Sequence, residues 1–245
     1  MKTTAEHDTG VDQGRRRWLA QLGLMSGATL LAPGIHLLAI PPAEGAADGT
    51  KRWGMLIDAT RCDPNCQLCV TACHEENGLP PATDAQAVRW IRKVTLREER
   101  SNHQVSLPMM CLHCAHPPCR DVCPTGATFK RKDGVVLVDR HLCIGCRYCV
   151  MACPYKARNF VYGPVTTQKN EVPRGMGCAE GCTLCVHRID RGKLPACVER
   201  CPNQALLFGD LNDPTSPIRR RMAEIGARAL RPELRLDPAV RVHGV

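Results

Sequence analysis

The 245-residue chain has few aromatic side chains, three each of Trp, Tyr and Phe, or 4% of its residues. Its Leu, Ile and Val runs are short, so a large conventional core is excluded and something else must staple the fold. No Lys/Arg run carries interleaved aromatics, which argues against a nucleic-acid groove. There is no serine–histidine elbow, no phosphate loop and no metal motif with an open position. Chemistry on a substrate of its own therefore has no visible seat.

Cysteine is what the chain has in abundance, seventeen residues. The most telling stretch is Cys143-Ile-Gly-Cys146-Arg-Tyr-Cys149-Val-Met-Ala-Cys153-Pro154, with the spacing C-x2-C-x2-C-x3-C. In bacterial ferredoxin runs of this form three thiolates hold one [4Fe–4S] cube and the fourth ligates a second. A loop turning at Gly145 can wrap one cube. Cys149 and Cys153, one helical turn apart, can face different cubes, and Pro154 stops the helix there. A zinc site asks for two separated pairs closing one tetrahedron, which this run fits poorly.

Three further runs follow the same plan. Cys111, Cys114, Cys119 and Cys123 read C-x2-C-x4-C-x3-C and are closed by Pro124. Cys62, Cys66, Cys69 and Cys73 read C-x3-C-x2-C-x3-C, with His74 in the place of Pro. Cys182, Cys185, Cys197 and Cys201 read C-x2-C-x11-C-x3-C, closed by Pro202. One cofactor motif repeated four times uses sixteen thiols and leaves Cys178 over. A secreted disulfide scaffold would want an even count in a short chain, and it gives no reason for the prolines.

The formal charge of +9 shrinks once cargo is counted. Each oxidised four-cysteine unit carries about −2, so four leave the loaded protein near about +1. At the N-terminus, Arg15-Arg16-Arg17-Trp18-Leu19 precedes a charge-free stretch from Trp18 to Ala43. This resembles the R-R-x-F-L pattern of twin-arginine export signals, with Trp18 in the place of Phe and small residues for cleavage before Asp48. A retained membrane anchor is the rival, weakened by Pro33-Gly34 within the span. Export of a folded protein suits a cofactor assembled in the reducing cytosol, and points to the periplasm.

Between the cysteine runs the chain reads as short strands: 52–58, a hairpin over 88–98 and 104–107, a second hairpin over 129–138, then 159–162 and 205–209. Strand, cluster loop with short helix, then strand predicts an α+β fold of ferredoxin-like units with little regular secondary structure. Residues 1–47 form the signal segment, 48–211 the four-cluster domain and 212–245 a charged tail. The tail is expected to have one short helix and an irregular end, as a solvated face or a partner-docking element.

The four motifs in this order resemble the four-cluster ferredoxin subunits of complex iron–sulfur molybdoenzymes and related quinone-linked complexes, over about residues 51–211. The fourth motif is the most specific: Cys182-Thr-Leu-Cys185-Val-His-Arg, then Gly192-Lys-Leu-Pro-Ala-Cys197-Val-Glu-Arg-Cys201-Pro. Within the family, the strand at 52–58 and the run Cys73-His-Glu-Glu-Asn-Gly78 look most like the periplasmic DsrO type of subunit, linked to dissimilatory sulfite reduction. The resemblance implies two pseudo-symmetric lobes, motif one pairing with four and motif two with three, and four [4Fe–4S] clusters. Cys62, Cys66, Cys69 and Cys201 would hold one cluster. Cys73, Cys182, Cys185 and Cys197 would hold its neighbour. Cys111, Cys114, Cys119 and Cys153 would hold the third, and Cys123, Cys143, Cys146 and Cys149 the fourth.

It also implies an electron-transfer subunit that links an NrfD-like, polytopic quinone-binding membrane protein to a haem c or molybdenum protein. The alternative it implies is the corresponding subunit of a tetrathionate or polysulfide reductase. Cys178 could compete with Cys197, since Cys178-x3-Cys182-x2-Cys185 repeats the first spacing; the intact C-x11-C register makes it a spare thiol. His74, His113 and His116 are expected to donate to sulfur or lie at the surface, and Lys156, Arg147, Lys193 and Arg188 to raise potentials by their charge.

Overall fold

A computed structural model describes residues 47–81, 86–100, 102 and 104–245. The signal-like stretch lies in residues 1–46, outside the described residues. Among the described residues no helix is long and apolar enough to cross a membrane.

The central strand is β1 (Trp53–Asp58), whose Met55, Leu56 and Ile57 are all fully buried. A strand apolar on both faces needs cover on both, and here it also has a neighbour along each edge. On one side β8 (Leu206–Asp210) pairs antiparallel, from Trp53 opposite Asp210 to Ile57 opposite Leu206. On the other side β9 (Val240–His243) pairs in parallel, from Met55 opposite Val240 to Asp58 opposite His243. The sequence reads as an irregular end there; instead Val240 and Val242 are buried in the sheet.

The two expected hairpins are present. β2 (Ile91–Arg97) and β3 (Gln104–Met110) pair in full register, and β4 (Thr128–Lys130) pairs with β5 (Val136–Val138). Residues 159–162 yield a two-residue strand, β6 (Asn159–Phe160), which pairs with β7 (Ala179–Glu180).

The helices are set by the prolines. α2 (Pro118–Asp121), α3 (Tyr148–Ala152) and α5 (Ala196–Glu199) are single turns, each ended within two residues by a Cys-Pro step. Where His74 replaces Pro, the amide donor survives, and α1 (Leu68–Asn77) runs for ten residues. It stops at Gly78, whose φ of +60° suits a residue without Cβ. A Cβ there would lie 2.2 Å from the Thr167 carbonyl oxygen. The remaining α-helices among the described residues are α4 (Val186–Ile189) and α6 (Pro217–Glu224); α6 is capped by Ser216, whose hydroxyl accepts from the Arg219 amide.

The packing pairs the motifs. α1 lies against α5, joining the first motif to the fourth, and α2 lies against α3, joining the second to the third. Thiols complete the interior: Cys69, Cys73, Cys111, Cys114, Cys153, Cys182 and Cys197 belong to the same buried cluster as Met55, Leu107 and Val240.

Candidate metal centres

The Cys-x2-Cys step that opens the second, third and fourth runs turns in the same way. The residue before its second cysteine is left-handed in these three: His113 at φ +45°, Gly145 at +73° and Leu184 at +53°. Such a residue reverses the chain within one step, which a helix or strand would not do. A following helix (α2, α3 or, beyond the intervening α4, α5) then supplies the third thiol and the Cys-Pro step the last.

The thiols gather in neighbouring groups. Cys62, Cys66, Cys69 and Cys201 line one cavity, so the last cysteine of the fourth motif reaches into the first. Cys73, Cys182, Cys185 and Cys197 line a second. Cys119 and Cys153 stand close enough to Cys111 and Cys114 to raise the energy of their thiolates, which brings the third set together. Burial raises the Cys149 thiol, with Cys119, Cys143 and Cys123 adding to the rise, and Cys146 lies on the exposed side of that loop. The first two sets surround cavities rather than closing on a point. Among the described residues no three His, Cys, Asp or Glu groups converge on a single-ion position.

Burial dominates the chemistry of these thiols. It pushes Cys69 and Cys111 up to about 11 and Cys114 up to about 12, with neighbouring thiolates adding to the rise. Cys73 and Cys182 are driven well above the ordinary thiol value for the same reasons. Without a compensating cation so many buried thiols would stay protonated at neutral pH; iron bound as thiolate supplies that compensation. The donor set fits iron–sulfur clusters in this respect.

Hydrogen bonds to sulfur are built in. After each Cys-Pro step the chain folds back and aims an amide at the thiol it has just passed: Thr128 N to Cys123 at 3.4 Å, Ala157 N to Cys153 at 3.5 Å and Ala205 N to Cys201 at 3.3 Å. Burial raises the Cys123 thiol, but donation from Thr128 and Thr125 outweighs it and leaves it below the usual value. Ala179 N and Leu184 N serve Cys143 and Cys182.

Three polar side chains at sulfur were not legible as such in the sequence. Lys93 Nζ lies 2.9 Å from Cys62 Sγ. Asn77 Nδ2 lies 3.5 Å from Cys73 Sγ, and Arg158 Nη2 3.6 Å from Cys119 Sγ. Lys93 comes from a hairpin remote in sequence, and Asn77 depends on α1 lacking a proline stop. Arg158 stands five residues beyond Cys153, a spacing that would have served as a signal.

The expected cations are placed otherwise. Arg188 is held by Glu76 and Glu199, Arg147 stacks on Phe160 and Tyr162, and Lys156 and Lys193 are exposed. His116 is exposed and His74 half-buried. His113 is buried and accepts from Val136 N at 3.0 Å through Nδ1, so its proton sits on Nε2. Burial pushes it down to about 3, with Arg158 nearby acting in the same direction, and the ring is neutral. Cys178 is buried, donates to the Arg140 carbonyl at 3.4 Å and has Cys143 as its thiol neighbour. Around Cys146 the surface is apolar, with Leu142, Ile144, Tyr148 and Met151 all more than half exposed.

Residues 103–211 match the family described as a 4Fe-4S dicluster domain. The chain is 38% identical over 237 residues to a tetrathionate reductase subunit of Salmonella typhimurium, covering 95% of this chain and 89% of that one. It is 36% identical over 259 residues to the Hdr-like menaquinol oxidoreductase iron-sulfur subunit 1 of Archaeoglobus fulgidus, covering 92% and 96%. A sulfite dehydrogenase subunit of Allochromatium vinosum is 39% identical over 207 residues, 76% of this chain and 80% of that one.

Proposed function

This chain belongs to the 4Fe-4S ferredoxin-type iron–sulfur subunits of oxidoreductase complexes, and from that premise we propose that it binds four [4Fe–4S] clusters in two lobes. It is an electron-transfer subunit of a larger complex rather than an enzyme by itself. When bound, each cluster supplies a site for one electron. The chain holds, spaces and insulates them. In this reading the four thiol sets described above are the four ligand sets.

The observation that carries the reading is the interleaving. Cys201 shares a cavity with Cys62, Cys66 and Cys69, while Cys73, from their own motif, lines another with Cys182, Cys185 and Cys197. A set of independent zinc knuckles would not exchange ligands between motifs. The test is anaerobic purification of the intact chain. About sixteen iron atoms per chain, a brown colour that dithionite bleaches and no three-iron EPR signal are expected. A well-folded, colourless, iron-free chain would refute it.

The partners we propose are a polytopic, NrfD-like quinone-binding membrane protein and a further redox protein, in respiration linked to sulfur compounds. The DsrO-like reading makes the second partner a haem c protein. The likeness to a tetrathionate reductase subunit favours a molybdenum protein instead. Capture of the membrane complex through a tag on this chain, followed by metal and haem analysis, separates the two. We further propose that residues 1–47 direct export of the folded protein to the periplasm by the twin-arginine route. Replacing Arg15 and Arg16 by Lys should then leave the loaded protein in the cytoplasm, and undiminished export of that variant would refute the route.

A further inference from the structure

Arg158 is a buried cation without a carboxylate partner among the described residues. It is 5% exposed, its Nη2 reaches Cys119 Sγ, and its Nε has no partner among the described residues. Arg174, equally buried, shows how the fold treats an ordinary interior arginine: it is locked to Glu180 through both Nε and Nη2. Leaving a guanidinium unpaired in the interior is costly, and such a group persists where negative charge surrounds it in some other form.

That charge comes from two thiol sets at once. Arg158 acts on Cys111 and Cys119 of the third set and on Cys149 of the fourth. The Arg158 side chain packs over Gly181. A Cβ on that residue would lie 3.6 Å from both Cδ and Nη1 of Arg158 and 2.8 Å from the Ala157 carbonyl oxygen.

We propose that Arg158 is a shared potential-setting cation for the two centres of the second and third motifs, an inference that rests on those thiols holding iron–sulfur clusters as read above. Each centre gains one negative charge on reduction. A fixed cation in a poorly screened interior favours that state at both, and the two centres furthest from it gain little. Arg158 takes no part in the transfer itself; it acts through the charge it presents to the sulfurs.

The test uses the full chain, purified anaerobically, as wild type, Arg158→Met and Arg158→Lys. Iron is counted, and the four reduction midpoints are followed by EPR during a potentiometric titration. In Arg158→Met, two of the four centres should become harder to reduce by at least about tenfold in the one-electron equilibrium, which is about 59 mV. The other two should stay in place, and Arg158→Lys should recover most of the shift. Four unchanged potentials in a fully loaded Arg158→Met chain would overturn the proposal, as would an equal shift of all four. Clusters that assemble only with arginine present would also overturn it, because the residue would then be structural. A wild-type chain that binds no iron would fail the functional reading instead, before any potential is measured.

Discussion

Replacing Lys93 by Met tests the electrostatics of the first centre. Lys93 is half-buried on β2, and its Nζ donates to Cys62 Sγ at 2.9 Å and to the Asp63 carbonyl at 2.8 Å. A unit charge at the 2.9 Å distance is worth about 1.4 kcal/mol in water and about 6 kcal/mol at an effective dielectric of 20. The ammonium is partly hydrated, and only part of an added electron resides on that one sulfur. Both factors pull the value toward the lower limit, so about 1.5 kcal/mol is expected. That corresponds to about tenfold in the one-electron equilibrium, or about 59 mV. In a potentiometric titration followed by EPR, one of the four midpoints should fall by that amount in Lys93→Met, and Lys93→Arg should restore most of it. The centre that moves should also be the one perturbed by Cys201→Ser. If the two substitutions act on different centres, the assignment of Cys201 to the first set is wrong; if no midpoint moves in a fully loaded Lys93→Met chain, the electrostatic reasoning for Lys93 is wrong.

Three further outcomes follow. Cys178→Ser should keep its full iron content, because the thiol hydrogen-bonds to the Arg140 carbonyl and the four sets are complete without it; loss of iron would make Cys178 a ligand. Gly78→Ala should destabilise the chain by about 3 kcal/mol, since it forces a Cβ against the Thr167 carbonyl at positive φ and disturbs the bonds that Thr167 and Arg174 donate to the Gly78 carbonyl. Thermal unfolding of the loaded protein reads this, and a loss under about 0.5 kcal/mol would refute the stated clash. Val240→Ala, at a fully buried position in β9, should cost about 2 kcal/mol, whereas an exposed change such as Arg220→Ala in α6 should cost little.

Much of the site could be read from spacing alone. A cysteine run dictates both its loop and its helix length, and the Pro after Cys123, Cys153 and Cys201 marks where each helix must end. His74 was the visible exception, and the longer α1 is its consequence. Hairpins were legible because their partners are near in sequence. What spacing does not carry is information about distant partners. Val240-Arg-Val-His243 alternates weakly over four residues, too few to signal a strand whose partner lies near residue 55. The same limit hid the cations: Arg188 and Arg147 stand beside cysteines in the chain yet turn to carboxylates and aromatic rings. Lys93, thirty-one positions from Cys62, reaches sulfur instead.

The parallel pairing of β9 with β1 bears on when the protein can mature. The sheet supporting the first thiol set is complete only after residue 243 has left the ribosome, and the cavity of that set is lined in part by Cys201. Neither is complete while the C-terminal segment is still being synthesised. On the proposed ligand assignment, iron loading of this half trails translation, which gives any machinery that inspects the chain a late and well-defined moment at which to do so.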